Sequence, residues 1–301
     1  MHIQTAIEEF CQYSEFIQGL SPFTINSYKN VVTTFLKRTG ITHFDELDRK
    51  VLMDYFLDGR SNRGWRSGTF TTYYMYFRGF FSWCCDMKYL EENPVVGIKY
   101  PKPQPRIPKR LNKETAEKLL NVARDHTYSR TFLKERNHAI IATFLFTGLR
   151  RNELLKLDLS DVDLKNNTIL VRHGKGGKER IVPIPLRLHK ILKIYLDRRD
   201  KLERTHNAFF ISSQRDCRFS GHGLMNLVKL LKEVSGISFT PHLLRHTFAT
   251  LMLEGGCDIF TLSKMMGHGT LEMTKIYLEA TTLHKQRAAI KHPLNMVVMA
   301  A

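Results

Sequence analysis

Lys99 to Arg110 reads KYPKPQPRIPKR, with prolines at 101, 103, 105 and 108. Proline fixes φ, removes a backbone donor and pushes the preceding residue toward extended geometry. No regular helix can cross such a stretch. The expected structure is a stiff, extended spacer between two independently packed parts. At 301 residues the chain is long enough for two domains. The expected division is a helical domain over 1–98, a linker over 99–110 and a second domain over 111–301. The linker carries five basic residues and no acid. That charge suits a path along a phosphate backbone, and it suits a plain spacer equally well.

Charge divides at the same place. Residues 1–100 hold 11 lysines and arginines against 11 acids, so the whole net charge of +17 lies in residues 101–301. A field of that sign attracts polyanions, nucleic acid first and anionic membrane second. A merely soluble basic surface also accounts for it. The apolar fraction of 43% is enough to fill real cores. The first 18 residues carry Glu8, Glu9 and Glu15, which excludes a signal peptide. No apolar run approaches the roughly 18 residues of a membrane span. Five cysteines, two of them adjacent at Cys84 and Cys85, form no framework and fit a reducing cytosol. The expected location is cytoplasmic, nucleoid-associated when acting, with no membrane partner.

Ahead of the linker the periodicity is helical. Ile3, Ala6, Ile7 and Phe10 repeat at helical spacing, and Ser21-Pro22 reads as N-cap and first helical residue. Further helices are expected over about 49–57 and 67–87. Between Gly59 and Cys85, Arg60, Arg63, Arg66 and Arg78 are interleaved with Trp65, Phe70, Tyr73, Tyr74, Tyr76 and Phe77. Phe70, Tyr74 and Phe77 read as core. The four arginines, with Lys102, Arg106, Lys109 and Arg110 of the linker, are candidates for phosphate contact.

Beyond the linker the pattern is mixed. Asn112 can cap a helix to about Ala123, and 136–146 reads as a buried helix. NNTILVRHGKGGKERIVPIP reads as a β-hairpin, 168–173 and 180–183, with a glycine turn over 174–178. Helices follow near 186–202, 223–234, 243–253, 259–266 and 271–277. AFFIS, Ala208 to Ser212, reads as a short edge strand. The fold class is mainly α, with a small hairpin or sheet in a mixed α+β second domain.

Four stretches of that domain concentrate polar chemistry. In TGLRRNEL, Gly148 ends one helix and Arg150 starts another, with Glu153 one turn on. An arginine there opposes the helix dipole, which favours a ligand role. GKGGKER lacks the spacing of a nucleotide-binding loop. It remains either a solvated hairpin tip or a mobile lysine, Lys175, delivered to a substrate. In HLLRH, His242 and His246 flank Arg245, but Leu243 stands where a zincin helix carries its glutamate, so zinc is rejected. Satisfied helix histidines are the plain reading. In MGHGTLEMTKIY, His268 follows a glycine and is expected at a helix N-terminus, where anions bind, with Tyr277 nine residues later. Together these side chains are the parts of metal-free phosphoryl transfer. Arginine forks neutralise a phosphodiester, cations and a base activate a tyrosine, and a histidine or lysine protonates a departing oxygen.

In order and spacing, TGLRRNELLKLDLSDVD, GKGGKERIVPIP, HLLRHTFATLMLEGG and MMGHGTLEMTKIY resemble the tyrosine recombinase, or phage-integrase, family over about residues 111–280. The first domain is similar to the family's helical core-binding domain. The resemblance implies a C-shaped clamp on double-stranded DNA. It also implies no cofactor, no metal, and a tetramer on specific recombination sites, with a partner recombinase or accessory factor left open. Arg150 and Arg245 are implied to clamp the scissile phosphate. Tyr277 is implied to attack it to give a 3′-phosphotyrosyl link. Lys175 is implied as the acid for the 5′-hydroxyl, His242 as aid to proton transfer at the tyrosine, and His268 as a donor to phosphate. Glu153 and His246 take supporting roles. With helical sequence from residue 3 and no arm-binding domain, the layout looks like the simple Xer-type and transposon-type members.

Two other readings are carried. One is a catalytically inactive DNA-binding or architectural protein, against which all six catalytic-type positions are filled. The other is a relative of type IB topoisomerases or hairpin resolvases, which the short, simple layout disfavours. Beyond Tyr277, a helix near 282–290 and the apolar MVVMAA are expected to form a tail, about 282–301, that docks on a neighbouring protomer.

Overall fold

The computed structural model describes residues 1–101, 108–172 and 179–279. Lys102, Arg106, Lys175 and the tail 282–301 lie outside the described residues. The chain divides into two compact units, Met1–Pro105 and Arg106–Ala301.

The first unit consists of α1 (Ile3–Phe16), α2 (Pro22–Thr39), α3 (Arg49–Ser61) and α4 (Ser67–Asp86). Their ends follow the capping chemistry of the sequence. Ser21 accepts from the Thr24 N–H at 3.2 Å and Asp48 from the Val51 N–H at 2.8 Å, and Gly40 closes α2 in the left-handed region. The core is largely aromatic. Phe77, Phe80 and Phe81 of α4 are fully buried, and Phe56 stacks on Phe70 at 4.4 Å between ring centroids. The third helix runs four residues beyond its expected end, to Ser61. Gly59 lies in that extension, where a Cβ would meet the Trp65 ring at 2.5 Å. The glycine is the seat for the indole, not a helix stop.

The second unit is built on α6 (Thr131–Thr147), against which α5 (Lys113–Asp125), α8 (Leu186–Asp200) and α10 (Pro241–Glu254) pack. From Arg136 to Thr147 every residue of α6 except Phe146 is buried. The remaining helices are α7 (Arg151–Lys156), α9 (Gly221–Ser235), α11 (Ile259–Met266) and α12 (Glu272–Glu279). Three antiparallel strands, β1 (Val162–Asp163), β2 (Thr168–Val171) and β3 (Arg180–Pro183), form one sheet in chain order, with Ile169 opposite both Val162 and Val182. The structure is mainly helical with one small antiparallel sheet, the expected class. Among the described residues no helix is long and apolar enough to cross a membrane.

Two expectations are corrected. A third strand, β1, joins the hairpin through a turn in which Asp163 accepts from the Asn166 N–H and Asn167 takes φ 56°. The AFFIS segment is not a strand of the sheet. It makes isolated bridges, Asp158 to Ala208 and Ile211 to Arg218. Its backbone is satisfied off the sheet: the Phe209 N–H donates to the Leu157 carbonyl at 2.8 Å and the Phe219 N–H to the Phe210 carbonyl at 2.9 Å, while Tyr195 and Arg199 of α8 donate to the Phe209 and Ala208 carbonyls at 2.7 and 3.3 Å.

Candidate active site

The centre of the site is a carboxylate. Gly148 ends α6 in the left-handed region, at φ 62°, and a Cβ there would meet the Phe248 ring at 2.2 Å. The chain turns through buried Leu149 and enters α7 with Arg150 as N-cap. Glu153, on the first turn, accepts the Arg150 N–H at 2.7 Å and its Nη1 at 2.8 Å. Arg180, at the start of β3, reaches the same carboxylate with both terminal nitrogens, at 2.9 and 2.7 Å. Arg245 of α10 stands with Nη1 3.9 Å from Glu153 Oε2. Glu153 is 5% exposed and Arg245 3%. Burial works to raise the Glu153 pKa, but the bonds from Arg180 and Arg150 outweigh it and hold it at about 2. Burial, then the Arg150 charge, brings Arg245 down to about 10, still cationic at neutral pH.

The three guanidinium groups also share one helix end. Arg180 donates to the Met265 carbonyl at 2.8 Å, Arg245 to that of Met266 at 2.7 Å and Arg150 to that of Gly267 at 2.9 Å. These are consecutive carbonyls at the C-terminus of α11, where the helix dipole is negative. Arg245 further donates to the Gly148 carbonyl at 2.6 Å. Three arginines and one carboxylate leave two net positive charges in a half-buried setting. Such a cluster binds an anion with forked donors already aimed.

Tyr277 of α12 is 2% exposed and packs with Phe248, Leu253, Leu262 and Met266. Its hydroxyl lies 2.7 Å from His246 Nδ1. Burial raises the phenol's pKa, and the Arg245 and Arg150 charges oppose that rise. His246 is lowered to about 4 by burial, His242 and Arg245. His242, exposed at the second residue of α10, is lowered by burial and the same arginines. Its ring lies edge-on to that of His246, centroids 4.1 Å apart. His246, not His242, therefore meets the tyrosine hydroxyl, because the i+4 position points at α12 while the helix entry does not.

His268 is also placed differently from its expected position. It lies in the turn between α11 and α12, four residues ahead of Glu272, so it is not at a helix N-terminus. Its Nδ1 is 2.7 Å from Thr274 Oγ1, and its ring stacks with Tyr277, centroids 6.4 Å apart. Burial, then Arg245, lowers it to about 4. The site thus brings Arg150, Glu153, Arg245, His246, His268 and Tyr277 together with His242 at its edge. Arg180 is an addition. Its sequence signal is the two-residue alternation of β3, which puts it on the inward face with buried Val182 while Ile181 stays 64% exposed.

The phosphate-contact candidates separate by environment. Arg66 and Arg78 are exposed. Arg60 is exposed and donates to the Trp65 carbonyl at 2.5 Å. Arg63 is committed inside its unit: it pairs with Asp58 at 2.7 Å, donates to the Tyr55 carbonyl at 2.6 Å, and lies 4.3 Å from the Tyr55 and Trp65 ring centroids. These contacts hold its guanidinium within its own unit. Lys109 is exposed, and Arg110 pairs with Glu254 at 2.8 Å.

Residues 109–284 match the model of the phage integrase family. The chain is 30% identical over 298 residues to the tyrosine recombinase XerC of Bacillus pumilus (strain SAFR-032), covering 96% of each chain. It is 33% identical over 289 residues to the tyrosine recombinase XerA of Thermococcus onnurineus (strain NA1), covering 96% of this chain and 95% of that one. Its fold matches a crystal structure of XerH site-specific recombinase bound to a palindromic difH substrate, a post-cleavage complex, with TM-score 0.73 at 23% identity over 96% of this chain and 84% of that one. With the family model covering more than half its length, the chain belongs to the phage integrase family of tyrosine recombinases.

Proposed function

We propose that this protein is a site-specific DNA recombinase that cleaves and rejoins duplex DNA through a 3′-phosphotyrosyl intermediate. The observation that carries this reading is the placement of a buried tyrosine beside a cluster with two surplus guanidinium charges. Arg150 and Arg245 clamp the scissile phosphate and stabilise the charge that builds on its oxygens. Tyr277 attacks phosphorus, and the 5′-oxygen leaves with a proton from Lys175. Glu153 and Arg180 hold the clamp in register, and His268 donates to a phosphate oxygen. The bond energy is stored in the phosphotyrosyl link, so neither ATP nor metal enters. Both units contact duplex DNA, and recombination takes place in a tetramer.

The test needs a site, obtained by selecting bound duplexes from a random-sequence pool. A nicked duplex of that site is incubated with the protein in EDTA. The expected result is a covalent protein–DNA adduct for the wild type and none for Tyr277→Phe. No adduct, or an adduct that persists in the phenylalanine variant, overturns the reading. An inactive DNA-binding protein gives binding without adduct. A topoisomerase-like relative relaxes supercoiled DNA without pairing sites.

A further inference from the structure

The Tyr277 hydroxyl has a specific polar neighbour, and it is a histidine to which the proposed reaction gives no step. We infer that His246 is the base that takes the Tyr277 proton during attack, an inference resting on Tyr277 as nucleophile. The geometry is direct. Nδ1 lies 2.7 Å from the hydroxyl, within the reach a proton transfer needs. His246 follows Arg245 on α10, so one helix segment fixes both the phosphate clamp and the base. His242 is exposed one turn earlier, its ring edge-on to that of His246.

Protonation supports the role. At neutral pH the ring is uncharged, because burial, His242 and Arg245 all disfavour its cation. An uncharged imidazole with Nδ1 bare accepts from the phenol. The groups around the pair are His242 and Arg245 of α10, Arg150 at the start of α7 and His268 in the turn before α12, with Arg180 of β3 beside His268. Of these, the three arginines carry charge at neutral pH. A phosphodiester bound on Arg150 and Arg245 brings negative charge beside Arg245 and offsets its effect on His246. The base therefore strengthens when substrate is bound and is weak when the site holds none.

The step balances. The phenolic oxygen forms its bond to phosphorus as its proton moves to His246 Nδ1. The bond from phosphorus to the 5′-oxygen breaks, and that oxygen takes its proton from the separate acid, Lys175 in the proposed reaction. On rejoining, a 5′-hydroxyl attacks the phosphotyrosine as its proton passes to the now neutral Lys175, the bond from phosphorus to the tyrosine oxygen breaks, and His246 returns its proton to the leaving phenolate.

Three variants and two substrates test this in single-turnover cleavage of the nicked duplex. His246→Ala is expected to form adduct about 100-fold more slowly or worse, since general-base catalysis is worth about 10²–10⁴. Its rate should climb with pH into the range where the phenol itself ionises, and added imidazole should restore part of it. His246→Asn keeps a hydrogen-bonding atom near the Nδ1 position without a basic nitrogen, so it should be as slow as the alanine variant. A substrate with a 5′-bridging sulfur, whose leaving group needs no acid, should rescue Lys175→Ala and not His246→Ala. Near wild-type cleavage by His246→Asn would make His246 a tether for the tyrosine. Faster cleavage by His246→Ala would make it a restraint, and rescue by the sulfur substrate would place it on the leaving group. Each of these overturns the inference, whereas failure of wild-type adduct formation overturns the nucleophile assignment. Single-site DNA binding, measured for every variant, confirms that each is folded.

Discussion

Arg180 meets the Glu153 carboxylate side-on, Nη1 to Oε1 at 2.9 Å and Nη2 to Oε2 at 2.7 Å. The Glu153 side chain is 3% exposed and that of Arg180 10%. Removing one partner leaves a charge buried with less compensation, at a cost of about 3 kcal/mol. Arg180→Met is therefore expected to lower unfolding free energy by about that amount in urea titrations. Glu153→Met with Arg180→Met should recover much of the loss, because neither charge is then stranded. Adduct formation should stay low in the double variant, since Arg150 has lost the carboxylate that holds its guanidinium. A double variant as unstable as the single one would show that the pair does not act as a unit.

Acid should release the same cluster. Glu153 sits at about 2 in the folded protein against an ordinary 4.5, so its ionised form is favoured by folding. Its contribution is present above pH 4.5 and is lost as pH falls toward 2, amounting to about 3 kcal/mol. His246 and His268 add to this from higher pH. Both are depressed from 6.5 to about 4, so the unfolded chain takes up their protons first. Stability should decline as pH drops from 6.5 toward 4 and fall further below 4.5. Urea unfolding across pH 7 to 3 checks the curve. In Glu153→Gln the loss below pH 4.5 should shrink, and an unchanged slope there would remove Glu153 as its source.

Much of this was legible in the amino-acid sequence. Capping residues set several helix ends: Ser21 and Asn112 each accept from a backbone N–H three residues on, and Gly148 closes a helix as its position implies. Arg150, Glu153, Arg245, His268 and Tyr277 converge as the motif spacing suggests. What periodicity could not give was direction across space. His242 and His246 share a helix face, and only the position of α12 decides which reaches the tyrosine. Arg180 read as the polar start of a strand, and its carboxylate partner is 27 residues away. Arg63 looked like its neighbours Arg60 and Arg66, because nothing local reveals that Tyr55 and Trp65 close around it. The AFFIS segment has strand composition, yet its Ala208 and Phe209 carbonyls accept from side chains of α8.

Assembly should depend on the end of the chain. Residues 282–301 include the apolar run MVVMAA, which is costly to leave in water and suits burial on a second copy. Deleting 282–301 is expected to abolish cooperative pairing of two sites while single-site binding persists. Mobility-shift titrations against one-site and two-site duplexes separate the two effects. Undiminished two-site complexes from the truncated protein would assign assembly elsewhere.

The first unit's arginines should divide into two kinds of variant. Arg66 and Arg78 are exposed, so as phosphate contacts their loss should weaken binding to all duplexes alike. Each replacement by alanine should reduce the dependence of log affinity on log salt by about 1. Arg63→Ala should behave otherwise. It loses the Asp58 pair, the bond to the Tyr55 carbonyl and contact with two rings, which together stabilise the unit by about 2 kcal/mol. Its salt dependence should match the wild type while its melting temperature falls. Measured in parallel, binding against salt and thermal unfolding distinguish the roles. A reduced salt slope with unchanged melting for Arg63→Ala would return that residue to the DNA-facing set.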